Sequence, residues 1–218
     1  DTMRFPKPPI VDPMGEAFSA EDFESLAYNI DREMRYRPLQ SQPLRVAEIG
    51  TWSGQSTLAI ARPHVLVHCI SSWSMPSELI DDGGQKRPER LWMVLRQGET
   101  NWVRGVHYRP EDVAFQSFVA NTKGVVFRTV MPLLVAPHLA CAWWPEQLDA
   151  VYINSDHDAT ELRQLVVAWK RHVRPGGNVY GLYKDHTVAG LHHLGGYNVD
   201  GTIWRHRVMK EAAGALGK

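Results

Sequence analysis

Apolar and polar positions along this chain fall into short blocks whose period switches between helical and strand-like. Phe23, Leu26, Ala27, Ile30 and Met34 share one helical face, which predicts a first helix running to about Arg35. Ser19 with Asp22 three residues later has the form of a capping box at its start. Leu44 to Ile49 reads as a short strand, Gln55 to Ala61 as a helix entered through glycine, and Val65 to Ile70 as a second strand. Pro110 to Asn121, with Val113, Ala114 and Phe118 at helical spacing, predicts another helix, and the β-branched run Val125 to Val130 a third strand. Leu148 to Asn154 makes a fourth strand and Ala159 to His172 a helix with Leu162, Leu165, Val166 and Trp169 inward. Asn178 to Tyr183 is the fifth strand, and the alternation from Tyr197 to Val208 predicts an antiparallel edge strand or hairpin. Pro6 to Pro13 reads as an irregular arm, Pro38 and Pro43 bound a linker, and Asp81 to Arg90 reads as an exposed loop.

Strand, helix, strand implies a right-handed parallel crossover, and its repetition implies an α/β doubly wound sheet. Composition narrows the function classes. The 218 residues suffice for one substantial core. Lys plus Arg equals Asp plus Glu at 24 each, so no global field draws the chain to nucleic acid or to an anionic membrane. Cys69 and Cys141 are too few for a disulfide scaffold and lack metal-ligand spacing, which favours free core thiols and a cytoplasmic setting. Neither a signal region nor a bilayer-length apolar run is evident, so a soluble chain is expected.

Two segments hold the candidate chemistry: Leu44-Arg-Val-Ala-Glu-Ile-Gly-Thr-Trp-Ser-Gly54, and Leu148-Asp-Ala-Val-Tyr-Ile-Asn-Ser-Asp-His-Asp158. Each is a buried strand that ends in glycine or polar residues, so both deliver backbone and side-chain groups to one rim of the sheet, where open α/β folds bind ligands. Gly50 and Gly54 let backbone approach a ligand closely. Taken alone, they equally make a tight strand-to-helix turn, with Glu48 a capped acid.

Taken in order, Glu48-Ile-Gly-Thr-Trp-Ser-Gly-Gln-Ser56, Ile70-Ser-Ser-Trp73, Phe118-Val-Ala-Asn121, Leu148 to His157, Trp169 ahead of Arg174-Pro-Gly-Gly177, and Gly201-Thr-Ile-Trp204 resemble the landmarks of class I S-adenosylmethionine-dependent methyltransferases. The resemblance is strongest to the branch of cephalosporin-hydroxylase-like and macrocin-O-methyltransferase-like proteins, the methyltransferase family 24 type. It implies a Rossmann-like, mostly parallel seven-stranded sheet with an antiparallel last strand and helices on both faces. It also implies a single domain over 1–218, with an N-terminal arm and helix in 1–43 and the core in 44–210. S-adenosylmethionine is the implied cofactor, with Glu48, Gly50, Thr51, Trp52, Gly54, Ser71, Ser72, Trp73 and Asn154 as its binding residues. A small hydroxylated acceptor is the implied partner. His157, Asp156 and His186 are the candidate catalytic residues, His157 as base because imidazole titrates near neutrality.

The chain departs from the family pattern at three strand-end acids, which have become Ser71, Asn154 and, after the fifth strand, Tyr183. A serine hydroxyl cannot give two vicinal ribose hydroxyls the bidentate, charge-assisted pair a carboxylate gives. Restoring acids at 71 and 154 is therefore expected to strengthen nucleoside binding. Branch members often hold a divalent cation with these acids. Here Asp156 and Asp185, with Asp158, are a weaker alternative for Mg2+, since acids ahead of Ala159 also cap a helix.

Other features read more simply as structure. Trp169 and Trp204 fit a core by periodicity, and His64 and His68 point too far apart to form a ligand pair. Lys170-Arg171-His172-Arg174 and Arg205-His206-Arg207 read as solvated faces. A methyltransferase is the leading expectation. A methyltransferase-like fold without catalysis, serving as a binding module with a protein partner or a second copy, is the alternative. Gly50-Thr-Trp-Ser-Gly54 lacks the Gly-x-Gly-x-x-Gly spacing of a nicotinamide dehydrogenase.

Overall fold

The computed structural model describes residues 18–36, 42–51, 53–71, 110–126, 128–154, 159–184, 191–192 and 196–209. Helix α1 (Ala20–Tyr36) begins where the capping box predicts. Asp22 N donates to Ser19 Oγ at 3.0 Å, and Ser19 N to Asp22 Oδ2 at 2.9 Å. These two bonds satisfy end groups that the helix cannot pair internally. Then follow β1 (Leu44–Ile49), α2 (Gln55–Ile60), β2 (Val65–Ser71), α3 (Pro110–Thr122), β3 (Val130–Leu134), α4 (Pro137–Trp143) and β4 (Leu148–Ile153). Helix α5 (Ala159–Lys170), β5 (Val173–Leu182), β6 (Tyr197–Asp200) and β7 (Ile203–Arg207) complete the order.

The strands form one seven-stranded sheet in the order β3-β2-β1-β4-β5-β7-β6. The pairs β1–β2, β1–β4, β2–β3 and β4–β5 are parallel, while β7 runs antiparallel to both β5 and β6. Every residue of β4 is buried, as a central parallel strand covered on both faces requires. One core cluster joins Leu26 and Ile30 of α1, Ala59 and Ile60 of α2 and Phe118 of α3 to Val46 and Tyr152. The other joins Ala140 and Cys141 of α4 and Leu162, Val166 and Trp169 of α5 to Ala47, Ile49, Val151 and Trp204. Alternate residues of β1 and β4 therefore feed opposite layers. Trp169 and Trp204 are fully buried, both cysteines are free and buried, and no described helix is long and apolar enough to cross a membrane.

Two expectations need correction, and one helix was not foreseen. The third strand lies at Val130–Leu134 and not at Val125–Val130. Val125 N and Val126 N both bond to Thr122 O at 2.8 Å, so the end of α3 captures this β-branched segment as a turn. Contact with the helix end overrides the strand propensity of the two valines. The segment before β4 contains α4, whose signal was Pro137 at the first helical turn. Strand β5 begins at Val173, ahead of the predicted Asn178. The register jumps from Leu148↔Val173 to Ala150↔Asn178, so Arg174-Pro-Gly-Gly177 forms a bulge inside the strand.

Candidate ligand site at the carboxyl ends of β1 and β4

The sheet order places β1 at the point where the chain reverses its direction of winding, with β2 on one side and β4 on the other. A crevice forms at the carboxyl end of such a switch point because the two crossovers leave in opposite directions. Backbone bonds tie the three tips together. Gly50 N donates to Ile70 O at 2.9 Å, and Asn154 N to Ile49 O at 2.8 Å. Gly50 and Gly54 both hold positive φ, at 78° and 83°, and Gly54 opens α2.

Beneath this turn lies a buried polar cluster. Glu48 is fully buried; its Oε1 accepts from Ser56 Oγ at 2.5 Å and its Oε2 from Thr57 Oγ1 at 2.6 Å. Cys69, the cross-strand neighbour of Glu48 in β2, donates its thiol to Oε2 at 3.5 Å. Asn154 Nδ2 donates in turn to Ser56 Oγ at 2.7 Å, so β4, α2 and β1 are joined by one continuous run of side-chain bonds. Burial raises the Glu48 carboxyl above its ordinary value, against the opposing effect of the hydroxyl and thiol donors. Burial, with Glu48 beside it, also pushes the Cys69 thiol up, which keeps it a neutral donor.

Folding stability carries the signature of that buried acid. A carboxyl raised in the folded state binds its proton more tightly there than in the unfolded chain. Its contribution therefore falls as pH rises from the ordinary carboxylate range through the raised value. We expect the melting temperature of the wild type to decline relative to Glu48→Gln across that window. Parallel melting curves for the two proteins would contradict this.

The structure brings together Glu48, Gly50, Thr51, Gly54, Ser71 and Asn154 of the sequence-predicted set, at or just beneath the tips of β1, β2 and β4. Thr51 is fully buried, and Ser71 ends β2 with its carbonyl accepting from Val135 N at 3.1 Å. Trp52, Ser72, Trp73, Asp156, His157, Asp158, Asp185 and His186 lie outside the described residues. Among the described residues no group of three or more His, Cys, Asp or Glu could hold a metal ion. Sequence reasoning missed Ser56, Thr57 and Gln55. Their signal was a pair of hydroxyls in the first turn after a strand-end acid, eight and nine residues beyond it. Gln55 is buried, and its Nε2 has no partner among the described residues. An acid at 154 also takes on a different meaning here. It would remove a donor to Ser56 and set two carboxylates competing for one hydroxyl proton.

Comparison with known proteins agrees with this architecture. A family model described as a methyltransferase domain, family 24, matches residues 47–181. No curated protein matches the chain. Among solved structures, the chain is similar to cofactor-bound Rv0187 from MTB, at 16% identity and a TM-score of 0.54, over 90% of this chain and 84% of that one. It is similar also to precorrin-6y C5,15-methyltransferase from Geobacter metallireducens, at 14% identity and a TM-score of 0.53, over 89% and 82% of the two chains. A third is the O-methyltransferase TomG from Streptomyces achromogenes in complex with SAM, at 14% identity and a TM-score of 0.52, over 89% and 82%. At these identities the likeness is one of fold.

Proposed function

Membership of methyltransferase family 24 follows from a family match over more than half of the chain, and from it we propose that this protein is an S-adenosylmethionine-dependent methyltransferase acting on a hydroxyl of a small acceptor. The observation that carries the reading is the adjacency of the β1 and β4 tips around the Gly50 to Gly54 turn, at the switch point of the sheet.

The residues present fit a sulfonium nucleoside. Gly50 and Gly54 leave the two ends of the turn without a Cβ, Gln55 Nε2 is a buried amide donor without a described partner, and Asn154 contributes a neutral polar tip. Bound S-adenosylmethionine supplies an already activated methyl group, so the chain's own task is to hold the reacting groups in line and keep water out. Glycine backbone, Thr51, Trp52, Ser71, Ser72 and Trp73 are the residues we assign to nucleoside binding. A hydroxyl acceptor must also lose a proton; we assign that to His157, with Asp156 beside it in sequence and His186 as a second candidate. Asp156 and Asp185 remain the pair to test for Mg2+.

One observation favours a second reading, a binding module without catalysis: the rim acids have become Ser71 and Asn154, and Glu48 spends its oxygens on internal donors. Calorimetric titration with S-adenosylmethionine and S-adenosylhomocysteine, with and without Mg2+, tests the pair. Dissociation constants near micromolar are expected. Silence at millimolar ligand would leave only the module.

A further inference from the structure

Two basic clusters, Lys170-Arg171-His172-Arg174 and Arg205-His206-Arg207, stand apart in sequence and take no part in the ligand site described above. The fold brings them together. Arg174 lies in the bulge near the start of β5 and Arg207 at the end of β7, and these two strands pair antiparallel. Because β5 runs parallel to β4 and β4 to β1, they meet at the edge of the sheet opposite the nucleoside site. Burial and the charge of Lys170, the last residue of α5, hold the His206 imidazole below its ordinary value, which places a third cation near β7.

Between the two arginines lies Gly176. Within 4 Å of a Cβ built there, the described residues offer only Arg174 Nη1 at 3.8 Å and Arg207 Nη2 at 3.9 Å, so two guanidinium groups border one open space over the glycine. Arg174 is anchored from below by the buried Asp149, whose Oδ1 accepts from its Nε at 2.7 Å and whose Oδ2 accepts from Arg45 N at 2.8 Å. That leaves the Nη groups of Arg174 without a hydrogen bond among the described residues, and Arg207, which is exposed, makes none there at all. Glu146 is paired with Arg45 Nη1 at 3.1 Å, and the buried Glu33 accepts from Asn178 and Tyr180. Two like charges beside one space repel each other unless an anion lies between them. We propose that Arg174 and Arg207 form a binding site for a phosphoryl group, with Gly176 as its floor. Guanidinium forks match phosphate oxygens in charge-assisted pairs, and the buried carboxylate holds one fork ready before the anion arrives. This site and the nucleoside site lie at opposite edges of the sheet, and neither depends on the other.

Calorimetric titration of the full chain with pyrophosphate, at an ionic strength held constant with chloride, tests the site. Arg207→Ala is expected to weaken pyrophosphate binding by roughly tenfold or more, the scale of a lost charge-assisted pair, while melting in the absence of ligand as the wild type does. Arg163→Ala, which removes an exposed arginine from α5, should leave binding unchanged. The carrier of the phosphoryl group is read by repeating the titration with oligouridylate. Tighter binding of oligouridylate that falls steeply with salt and is lost in Arg207→Ala assigns the site to a nucleic-acid backbone, and pyrophosphate binding alone assigns it to a small phosphorylated molecule. A wild type that binds neither probe above the chloride background overturns the site. So does equal weakening by Arg207→Ala and Arg163→Ala, which would show attraction to surface charge in general.

Discussion

Gly177→Ala is expected to lose about 3 kcal/mol of folding stability, which for a chain of this size lowers the melting temperature by roughly 6–12 °C. A Cβ at Gly177 would stand 2.4 Å from the backbone carbonyl oxygen of Asp149 and 2.7 Å from Val173 Cγ1. Asp149 cannot retreat easily. It lies in the central strand β4, and its carboxylate accepts from Arg45 N at 2.8 Å and from Arg174 Nε at 2.7 Å. The neighbouring glycine supplies the control. Gly176 has φ +85°, but a Cβ there would meet nothing closer than Arg174 Nη1 at 3.8 Å, so Gly176→Ala should cost only about 1 kcal/mol from the left-handed backbone. Thermal melts of the two variants side by side check this, and equal losses would refute the assignment of the bulge.

The second large effect is expected at Gly54→Ala, where stability and ligand binding should fall together. Here the left-handed φ of 83° adds to a clash, because a Cβ would lie 2.9 Å from Phe118 Cδ2 and 3.0 Å from Thr122 Cγ2. The sum is about 2–3 kcal/mol. Relief can come only by moving α2 away from α3 or by opening the turn, and either shifts the backbone that we assign to the nucleoside. S-adenosylhomocysteine affinity should drop by roughly tenfold. Adding Phe118→Leu should restore part of the lost stability by removing the ring, while the backbone component persists. A double variant no more stable than Gly54→Ala would place the strain elsewhere.

Much of the fold was legible because its signals are local. Phe23 to Met34 repeats at helical spacing, Ser19 and Asp22 cap each other, and the apolar runs of β1, β2 and β4 have no other home than the middle of a covered sheet. The third strand was misread because Val125 and Val126 bond to the end of α3, a contact that depends on how the chain folds back after Gly124. Helix α4 is short, and Pro137 was its only strong marker. The rim could be located from strand tips alone. The link from Glu48 through Ser56 to Asn154 could not, since it requires α2 to dock across β1 while β4 lies alongside, and 98 residues separate Ser56 from Asn154. Glu33 is another case: Asn178 Nδ2 and Tyr180 OH both donate to its Oε1, which pins α1 to β5 through an acid that stands seven residues after Leu26 on the buried face and whose charge, not its spacing, argues for the surface.

Pro132, at the centre of β3, an edge strand of the sheet among the described residues, has a consequence for self-association. Thr129 O accepts from Val67 N, and Val135 N donates to Ser71 O, so odd-numbered residues of β3 turn their backbone groups to β2 and even-numbered ones face outward. At the middle of that outward row stands an imino acid with no hydrogen to give. A strand from another copy that tried to extend the sheet there would find a missing rung, an obstacle to fibril growth that is written into the covalent chain.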